Sequence, residues 1–233
     1  MNNAIFITGT DTEVGKTVIT GLLARTLSEN GVNVITQKWV QTGCSDLSGD
    51  IAEHMKFMGS GTESIEKYGQ DMVPYTFEFP SSPHLAAFME KKVIDPKKIE
   101  KAFIRLAENF DFVVVEGTGG LMVPINDEVM IVDIVKELDL PVLIVAENRL
   151  GAINQTMLTV EALRERGLRI TGIVFNRLTG DGDETVLKDN PRIIESLTGI
   201  EVLGELGYEK EKDAIIGNWR PIGEKLLKIL GKT

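Results

Sequence analysis

The stretch from Asn3 to Asn30 constrains the possible folds of this chain more than any other. The short apolar run Ala4-Ile5-Phe6-Ile7 precedes a polar segment with two glycines, Thr8-Gly9-Thr10-Asp11-Thr12-Glu13-Val14-Gly15-Lys16-Thr17. Apolar residues then recur at helical spacing until Asn30-Gly31, a typical helix stop. A strand that enters a helix N-terminus through such a loop binds anions, because free backbone N–H groups and the positive end of the helix dipole meet there. The stretch therefore predicts a strand, an anion-binding loop and a helix.

Lys16 and Thr17 indicate that the anion is a nucleotide. A lysine at this place reaches the β- and γ-phosphates, and the threonine hydroxyl is a ligand for Mg²⁺. The segment between Gly9 and Gly15 is one residue longer than in the usual phosphate-loop pattern, so the motif is a variant. The alternative is a glycine turn before a surface helix whose lysine is solvated.

The length and charge of the chain exclude several classes of protein. We expect the 233 residues to form a single domain, 1–233, because this length fits one large core. A net charge of −10 and a pI of about 4.8 argue against binding to nucleic acid or to an anionic membrane. No apolar stretch approaches the ~20 residues that span a bilayer, and no secretory leader precedes the first strand, so we expect a cytoplasmic protein. Cys44 is a lone cysteine, and His54 and His84 are too scattered to indicate a zinc site.

The next predicted strand, from Val32 to Lys38, ends in a cation, and Thr42 follows four residues later. In open α/β sheets the carboxyl ends of the strands border the ligand crevice, so Lys38 and Thr42 are candidates for a second ligand site beside the loop. The alternative for Lys38 is a solvated strand end. Asp50 begins a short helix, where it either caps the helix or reaches a metal ion.

The middle and the end of the chain are less informative. From Thr62 to Pro83 we expect a loop-rich insertion that is functional or folded over the site, because it is too long for a plain connector. His84 has no partner nearby in the sequence and is interpreted as structural. Helices are predicted from Asp95 to Asn109 and from Pro221 to Leu230, and a last short strand from Ile200 to Gly207.

Glu116 is the second informative residue. It ends the uninterrupted apolar run Phe112-Val113-Val114-Val115, which is typical of a strand buried on both faces of a parallel sheet. A carboxylate at such a place is costly to bury unless it meets a cation, and Mg²⁺ is the natural partner. The alternative is a partly exposed glutamate in the turn formed by Gly117 to Gly120.

Two further buried strands are predicted, from Pro141 to Ala146 and from Ile170 to Asn176. Strands alternate with helices along the whole chain, which predicts an α/β fold with a mostly parallel sheet flanked by helices on both faces, of the phosphate-loop NTPase type. Asn176 places an amide at a strand end, where it could donate to and accept from a nucleobase edge, although asparagine is also a common turn residue.

Several segments occur in an order shared with one known family. They are Gly9 to Thr17, Lys38 with Thr42, Ser82-Pro83-His84, Glu116 to Gly120, Leu150 to Asn154, and Asn176. Together, from Ile5 to about Tyr208, they resemble dethiobiotin synthetases, ATP-dependent carboxylating enzymes of biotin synthesis. The resemblance implies a homodimer that makes dethiobiotin from 7,8-diaminononanoate (7,8-diaminopelargonate), CO₂ and ATP, through a carbamate and a carbamic-phosphoric anhydride.

The resemblance also implies roles for individual residues. Lys16 and Lys38 would be catalytic, and Thr17, Asp50 and Glu116 would bind Mg²⁺. The implied nucleotide-binding residues are Glu13, Val14, Gly15, Lys16, Thr17, Val18, Asp50, Glu116, Gly117, Thr118, Gly119, Asn176, Arg177, Gly207 and Tyr208. The implied substrate-binding residues are Thr12, Lys38 and Thr42, together with Leu150, Gly151, Ala152 and Asn154 from the other subunit.

The chain departs from the family at three positions. Family members often have proline at or near the positions of Trp39 and Gly207, and alanine at that of Thr118, so the selectivity for the base stays open. An alternative function is a partition-type switch ATPase that acts on a protein, DNA or membrane partner. Asp11 occupies the position where those ATPases carry a signature lysine, which argues against that alternative. An amidoligase of the cobyrinate type would need a glutaminase domain for which the chain is too short.

Overall fold

The computed structural model describes residues 3–45, 49–61 and 63–232, and Thr62 of the predicted insertion lies outside these ranges. The strands in them are β1 (Ala4–Gly9), β2 (Val34–Lys38), β3 (Val40–Thr42), β4 (Tyr75–Phe77), β5 (Phe112–Gly120), β6 (Val142–Glu147), β7 (Ile170–Asn176) and β8 (Val202–Leu206). The helices are α1 (Lys16–Glu29), α2 (Gly49–Met58), α3 (Glu63–Met72), α4 (Pro83–Met89), α5 (Pro96–Asn109), α6 (Ile131–Glu137), α7 (Ala152–Glu165), α8 (Glu184–Thr198) and α9 (Lys212–Ile229).

The main sheet is parallel and has the strand order β2-β5-β1-β6-β7-β8. β1 lies in the middle, with β2 and β5 on one side and β6, β7 and β8 on the other. Ligands bind at such a switch point, in the crevice outside the carboxyl ends of the strands. The α/β fold predicted from the sequence is confirmed, and the loop after β1 lies where the crevice is expected.

The core explains why the central strands could be recognised from apolar runs alone. Phe6, Val114, Ile144 and Val174 lie on four neighbouring strands and are fully buried. Helices cover the faces of a parallel sheet, so its strands need apolar residues on both sides. None of the helices in the described part of the chain is both long enough and apolar enough to cross a membrane.

Three predictions about local structure were wrong. The segment from Thr62 to Pro83 is not loop-rich, because it contains α3 and the short strand β4, which pairs with β3 in a second small sheet. Glu116 does not end its strand, since β5 continues to Gly120. The last helix does not begin at Pro221, which lies inside α9. Helices α6 and α8 were not predicted, because α6 is only seven residues long and α8 contains Pro191.

Trp39, at one of the positions where the chain departs from the resembling family, is a core residue. Its ring packs against that of Phe6, with the centroids 4.9 Å apart. Its indole N–H donates to Gln37 Oε1 at 3.0 Å, and the Gln37 amide donates in turn to the carbonyl of Asp71 at 2.8 Å. The backbone after Lys38 is therefore fixed by the packing and hydrogen bonding of a large side chain.

Helices α1 and α2 approach each other closely at Gly21. A Cβ atom at this glycine would lie 2.7 Å from Cβ of Phe57 and 3.0 Å from the carbonyl oxygen of His54. Real side chains do not tolerate such contacts, so the absence of a side chain at Gly21 sets the distance between the two helices. This contact matters because α1 follows the phosphate loop and α2 carries Asp50.

Gly21→Ala is expected to lower the free energy of unfolding by about 1–3 kcal/mol, because the added methyl group overpacks the interface of α1 and α2. Gly217→Ala is a matched control, since Gly217 lies in helix α9 with open space around its Cβ position. That control should gain about 0.5–1 kcal/mol from helix propensity. Urea unfolding measures both, and equal effects of the two substitutions would contradict the close contact at Gly21.

Candidate active site

The loop between β1 and α1 wraps around the amine of Lys16. Lys16 is buried, and its Nζ donates to the carbonyl oxygen of Asp11 at 3.0 Å. Gly9 leaves room for this arrangement, because a Cβ there would lie 2.9 Å from Lys16 Nζ. The loop thus has the form that the sequence predicts for a phosphate site, with its lysine directed into the curve of the backbone.

Gly15 joins the loop to α1 and touches β7. Its φ of +95° is in the left-handed region that favours glycine, and a Cβ would lie 2.0 Å from the Asn176 amide nitrogen. That amide nitrogen donates to the carbonyl of Val14 at 3.0 Å. The structure therefore brings Asn176 against the loop, and Gly15 cannot carry a side chain.

The other predicted nucleotide residues lie at the same edge of the sheet. The Arg177 N–H donates to the carbonyl of Leu206, and its guanidinium donates to Glu184 at 3.0 Å. Gly207 and Tyr208 follow β8, and Tyr208 is 41% exposed beside Gly180. Val18 is half-buried in the first turn of α1. Arg177, Gly207 and Tyr208 therefore lie on the side of β7 and β8.

Four predicted residues converge around Lys38. The Lys38 ammonium lies 2.7 Å from Glu116 Oε1 and 2.7 Å from Asp50 Oδ2. Thr17 Oγ1 donates to the same Glu116 oxygen at 3.0 Å. Lys38 also donates to the carbonyl of Gly117 at 3.2 Å. Two carboxylates and one hydroxyl are thereby gathered around a single buried cation, next to the helix that follows the phosphate loop.

His54 completes this cluster, although the sequence analysis gave it no role. It is fully buried in α2, and its Nε2 lies 2.6 Å from Glu116 Oε2. A histidine four residues after Asp50 lies on the same face of a helix, so the spacing was the available signal. It was missed because His54 was considered only as a zinc ligand. His84, in contrast, contacts Ser82 Oγ at 3.1 Å.

The charges in the cluster support one another. Burial alone would raise the pKa of Glu116, but the Lys38 charge and the hydrogen bond from His54 outweigh it and lower that pKa to about 2. Burial likewise opposes the charged form of Lys38, yet Glu116 and Asp50 outweigh it and raise the Lys38 pKa. Lys16 forms no salt bridge with the residues that the structure describes. Burial, followed by repulsion from Lys38, outweighs the attraction of Glu116, Asp50 and Asp11 and lowers the Lys16 pKa to about 8.

Predicted substrate residues of β3 and nucleotide residues of β5 lie beside the cluster. Thr42 pairs with Phe77 in the small sheet of β3 and β4. The Thr118 hydroxyl donates to the carbonyl of Val40, which ties β5 to β3. Gly119 has a φ of +68°, and the nearest side chains to its Cβ position are those of Val123 and Thr12. The small sheet is thus fastened beside the phosphate loop.

The segment Leu150 to Asn154 begins α7, as the sequence predicts. Gly151 caps the helix with a φ of +94°, and Leu150 is 82% exposed. From the next turn, Gln155 donates to the Asp11 carboxylate at 3.0 Å. The start of α7 therefore lies next to the phosphate loop of the same chain, and it exposes a large apolar side chain.

Comparison with known proteins identifies the family. A family model described as an AAA domain matches residues 3–215. The ATP-dependent dethiobiotin synthetase of Haemophilus influenzae is 44% identical over 176 residues, which cover 76% of this chain and 92% of that protein. The enzyme of the same name from Chlorobaculum tepidum is 44% identical over 188 residues, which cover 81% and 78%. The chain belongs to the ATP-dependent dethiobiotin synthetase family.

Similar solved structures show the fold alone, because their sequences are distant. The cell division protein MinD of Aquifex aeolicus matches with a TM-score of 0.59 and 16% identity, covering 99% of this chain and 98% of that chain. A plasmid partition protein of Borrelia burgdorferi matches with a TM-score of 0.60 and 14% identity, covering 100% and 99%. These likenesses confirm the NTPase-type fold. They do not carry the switch-ATPase alternative, since the closer sequence relatives are synthetases.

Glu116→Gln should destabilise the protein most above about pH 4.5 and progressively less as the pH falls towards 2. The Glu116 pKa is about 2 in the folded protein against an ordinary value of 4.5, so the unfolded chain binds more protons in this window and stability rises with pH there. The glutamine variant lacks that contribution. Urea unfolding across the window measures the difference, with Glu108→Gln on the exposed face of α5 as control. A pH-independent offset for Glu116→Gln would contradict the lowered pKa.

Proposed function

We propose that this chain is an ATP-dependent cyclo-ligase that carboxylates 7,8-diaminononanoate with CO₂ and closes the ring to give dethiobiotin, ADP and phosphate. The family supports this activity, since its curated relatives carry the name of this enzyme. The observation that carries the proposal is the buried cluster in which Lys38 lies between Glu116 and Asp50 beside the phosphate loop. Such a cluster suits a reaction that brings two anions together.

ATP would bind along the phosphate loop, with its base towards β7 and β8. Gly15 and Lys16 would contact the phosphates, and Asn176 and Tyr208 would contact the base. The further residues proposed to contact the nucleotide are Glu13, Val14, Thr17, Val18, Asp50, Glu116, Gly117, Thr118, Gly119, Arg177 and Gly207. The hydrogen bond from Asn176 to Val14 supports this assignment, because it holds the amide within reach of the loop.

The donor set around Lys38 fits Mg²⁺. Thr17, Asp50 and Glu116 offer hard oxygen atoms, which Mg²⁺ takes together with phosphate oxygens and water. Within the described ranges no group of three or more His, Cys, Asp and Glu side chains could hold a metal by itself, so the nucleotide would have to complete the shell. When bound, Mg²⁺ would neutralise charge on the β- and γ-phosphates.

The chemistry has three steps. One amine of the substrate adds to CO₂, loses a proton and becomes a carbamate. A carbamate oxygen then attacks the γ-phosphorus, the bond from that phosphorus to ADP breaks, and a carbamic-phosphoric anhydride forms. The second amine attacks the carbonyl carbon of that anhydride and loses a proton, the carbon–oxygen bond to phosphate breaks, and phosphate leaves as the cyclic urea closes.

Positioning and charge neutralisation are the main tasks of the protein in such a phosphoryl transfer. Lys16 would contact the transferred phosphoryl group from the loop, and Lys38 would neutralise the carbamate on the other side. Thr12 and Thr42 would hold the amine or carbamate end. Burial holds the Lys16 pKa at about 8, and bound phosphates would raise it, because they favour the charged form of the amine.

We further propose a cytoplasmic, single-domain chain that works as a homodimer, without nucleic-acid or membrane partners. Met122 and Leu158 are exposed apolar residues that line a cavity of about 320 Å³, and Leu150 is exposed just before α7. A partner subunit that covered this region would make the active site a shared one. Leu150, Gly151, Ala152 and Asn154 of one chain would then bind the distant carboxylate of the substrate held by the other chain. Backbone N–H groups at a helix start suit a carboxylate.

Lys38→Gln tests the activity and the role of the lysine together. Nucleotide affinity should stay within a few fold, because the loop supplies most phosphate contacts, while the rate with diaminononanoate and bicarbonate should fall about 10²-fold or more. Calorimetry measures the affinity, and phosphate release with and without diamine measures the rate. Circular dichroism checks that the variant is folded.

Equal phosphate release by the wild type with and without diamine and bicarbonate would refute the synthetase and favour a switch ATPase. Loss of nucleotide binding in folded Lys38→Gln would instead refute only the proposed role of Lys38.

Hybrid dimers test the shared site. A Lys16→Ala chain and an Asn154→Ala chain should each be nearly inactive alone, yet their mixture should recover part of the activity, because one of the two sites in a hybrid is then intact. Steady-state turnover after mixing and subunit exchange is the measurement. If hybrids form but no activity returns, each site lies within one chain.

A further inference from the structure

His54 is a buried polar residue to which the proposed chemistry assigns no task. Its side chain is fully buried in α2, far from solvent but in contact with the cluster around Lys38. Its Nδ1 has no hydrogen-bond partner among the described residues, so Glu116 is its single polar contact there. A buried imidazole that makes one short contact with a functional carboxylate calls for an explanation beyond filling space.

The two oxygens of Glu116 have different partners. Oε1 accepts from Lys38 Nζ at 2.7 Å and from Thr17 Oγ1 at 3.0 Å. Oε2 accepts from His54 Nε2 at 2.6 Å. An ionised carboxylate can only accept, so the proton of this last bond lies on His54. Without His54, one oxygen of a buried anion would lose its donor.

We propose that His54 is a positioning residue, which holds Oε2 of Glu116 so that Oε1 stays directed at Lys38 and Thr17. A carboxylate anchored at one oxygen cannot rotate about its last side-chain bond without breaking a hydrogen bond. Its other oxygen therefore keeps a fixed direction for the nucleotide-bound metal. This inference rests on the proposed function through the assignment of Glu116 to Mg²⁺.

The placement of α2 supports the role. Asp50 and His54 are four residues apart, so both project from one face of the helix towards the cluster. The helix can come this close because Gly21 of α1 leaves room for the backbone of His54 and the Cβ of Phe57. One helix thus delivers a carboxylate to Lys38 and a donor to Glu116, and its distance from α1 sets both contacts.

Two amide substitutions separate the role in positioning from a role in packing. In His54→Gln the amide nitrogen can reach about as far as Nε2, so the bond to Glu116 can be replaced. In His54→Asn the amide reaches only about as far as Nδ1, and the bond is lost. Phe57→Leu, on the same helix and equally buried, is the control for general loosening of α2.

The probe is Mn²⁺, titrated into the ADP complex of each variant and followed by electron paramagnetic resonance, with urea unfolding as the check on the fold. His54→Asn is expected to weaken Mn²⁺ binding by roughly 10- to 100-fold, the usual effect of removing a group that orients a metal ligand. His54→Gln should stay within a few fold of the wild type, and Phe57→Leu should not change the metal affinity.

Equal Mn²⁺ affinities of the asparagine and glutamine variants would overturn the inference. So would a loss in Phe57→Leu as large as that in His54→Asn, since His54 would then act through packing alone. Dethiobiotin formation by the wild type is measured in parallel. If the metal affinity depends on His54 as expected but no dethiobiotin forms, the proposed function fails and the positioning role stands.

Discussion

The ion pair between Lys38 and Glu116 is the interaction on which the rest of the site depends. The two residues are register partners across the parallel strands β2 and β5, and both are buried, with exposures of 4% and 1%. Neither charge could be buried alone, because desolvation of an isolated ion costs far more than a folded protein can lose. Their position side by side on neighbouring strands lets a parallel sheet with an apolar core carry charge at its carboxyl edge.

The pair also has a second cation beside it. Lys38 contacts two carboxylates, Glu116 and Asp50, and the buried ammonium of Lys16 lies close enough to interact with all three groups. A divalent cation bound with the nucleotide would add positive charge where the phosphates and a carbamate bring negative charge. Buried ion pairs are weak evidence for stability. The arrangement is better explained by the anions that the site is proposed to bring together.

Much of the fold could be predicted because the central strands are apolar on both faces and the phosphate loop has a recognisable pattern. Helices α6 and α8 and the small sheet could not. Helix α6 has only seven residues, the strands β3 and β4 have three each, and α8 contains a proline that disfavours a helix. Within the site, Lys38, Asp50 and Glu116 could be named from their places at strand and helix ends. That Lys38 bridges the two carboxylates follows from the pairing of β2 with β5 and from the packing of α2 on α1, and no local pattern encodes either. The same packing brings His54 to Glu116, and its spacing from Asp50 was the one local signal.

The proline inside α8 leaves one helical carbonyl without its usual donor, and a residue beside the site supplies a replacement. Pro191 has no backbone N–H, so the carbonyl of Leu187, four residues earlier, lacks its usual helical donor. The Asn148 amide donates to that carbonyl at 2.8 Å, and Asn190 donates in turn to Asn148 Oδ1 at 2.8 Å. Asn148 directly follows β6 and precedes the start of α7. The Leu187 carbonyl would be costly to leave unpaired, so it holds the Asn148 side chain in place. Because Asn148 belongs to the loop between β6 and α7, this hydrogen bond also fixes the backbone beside the phosphate loop.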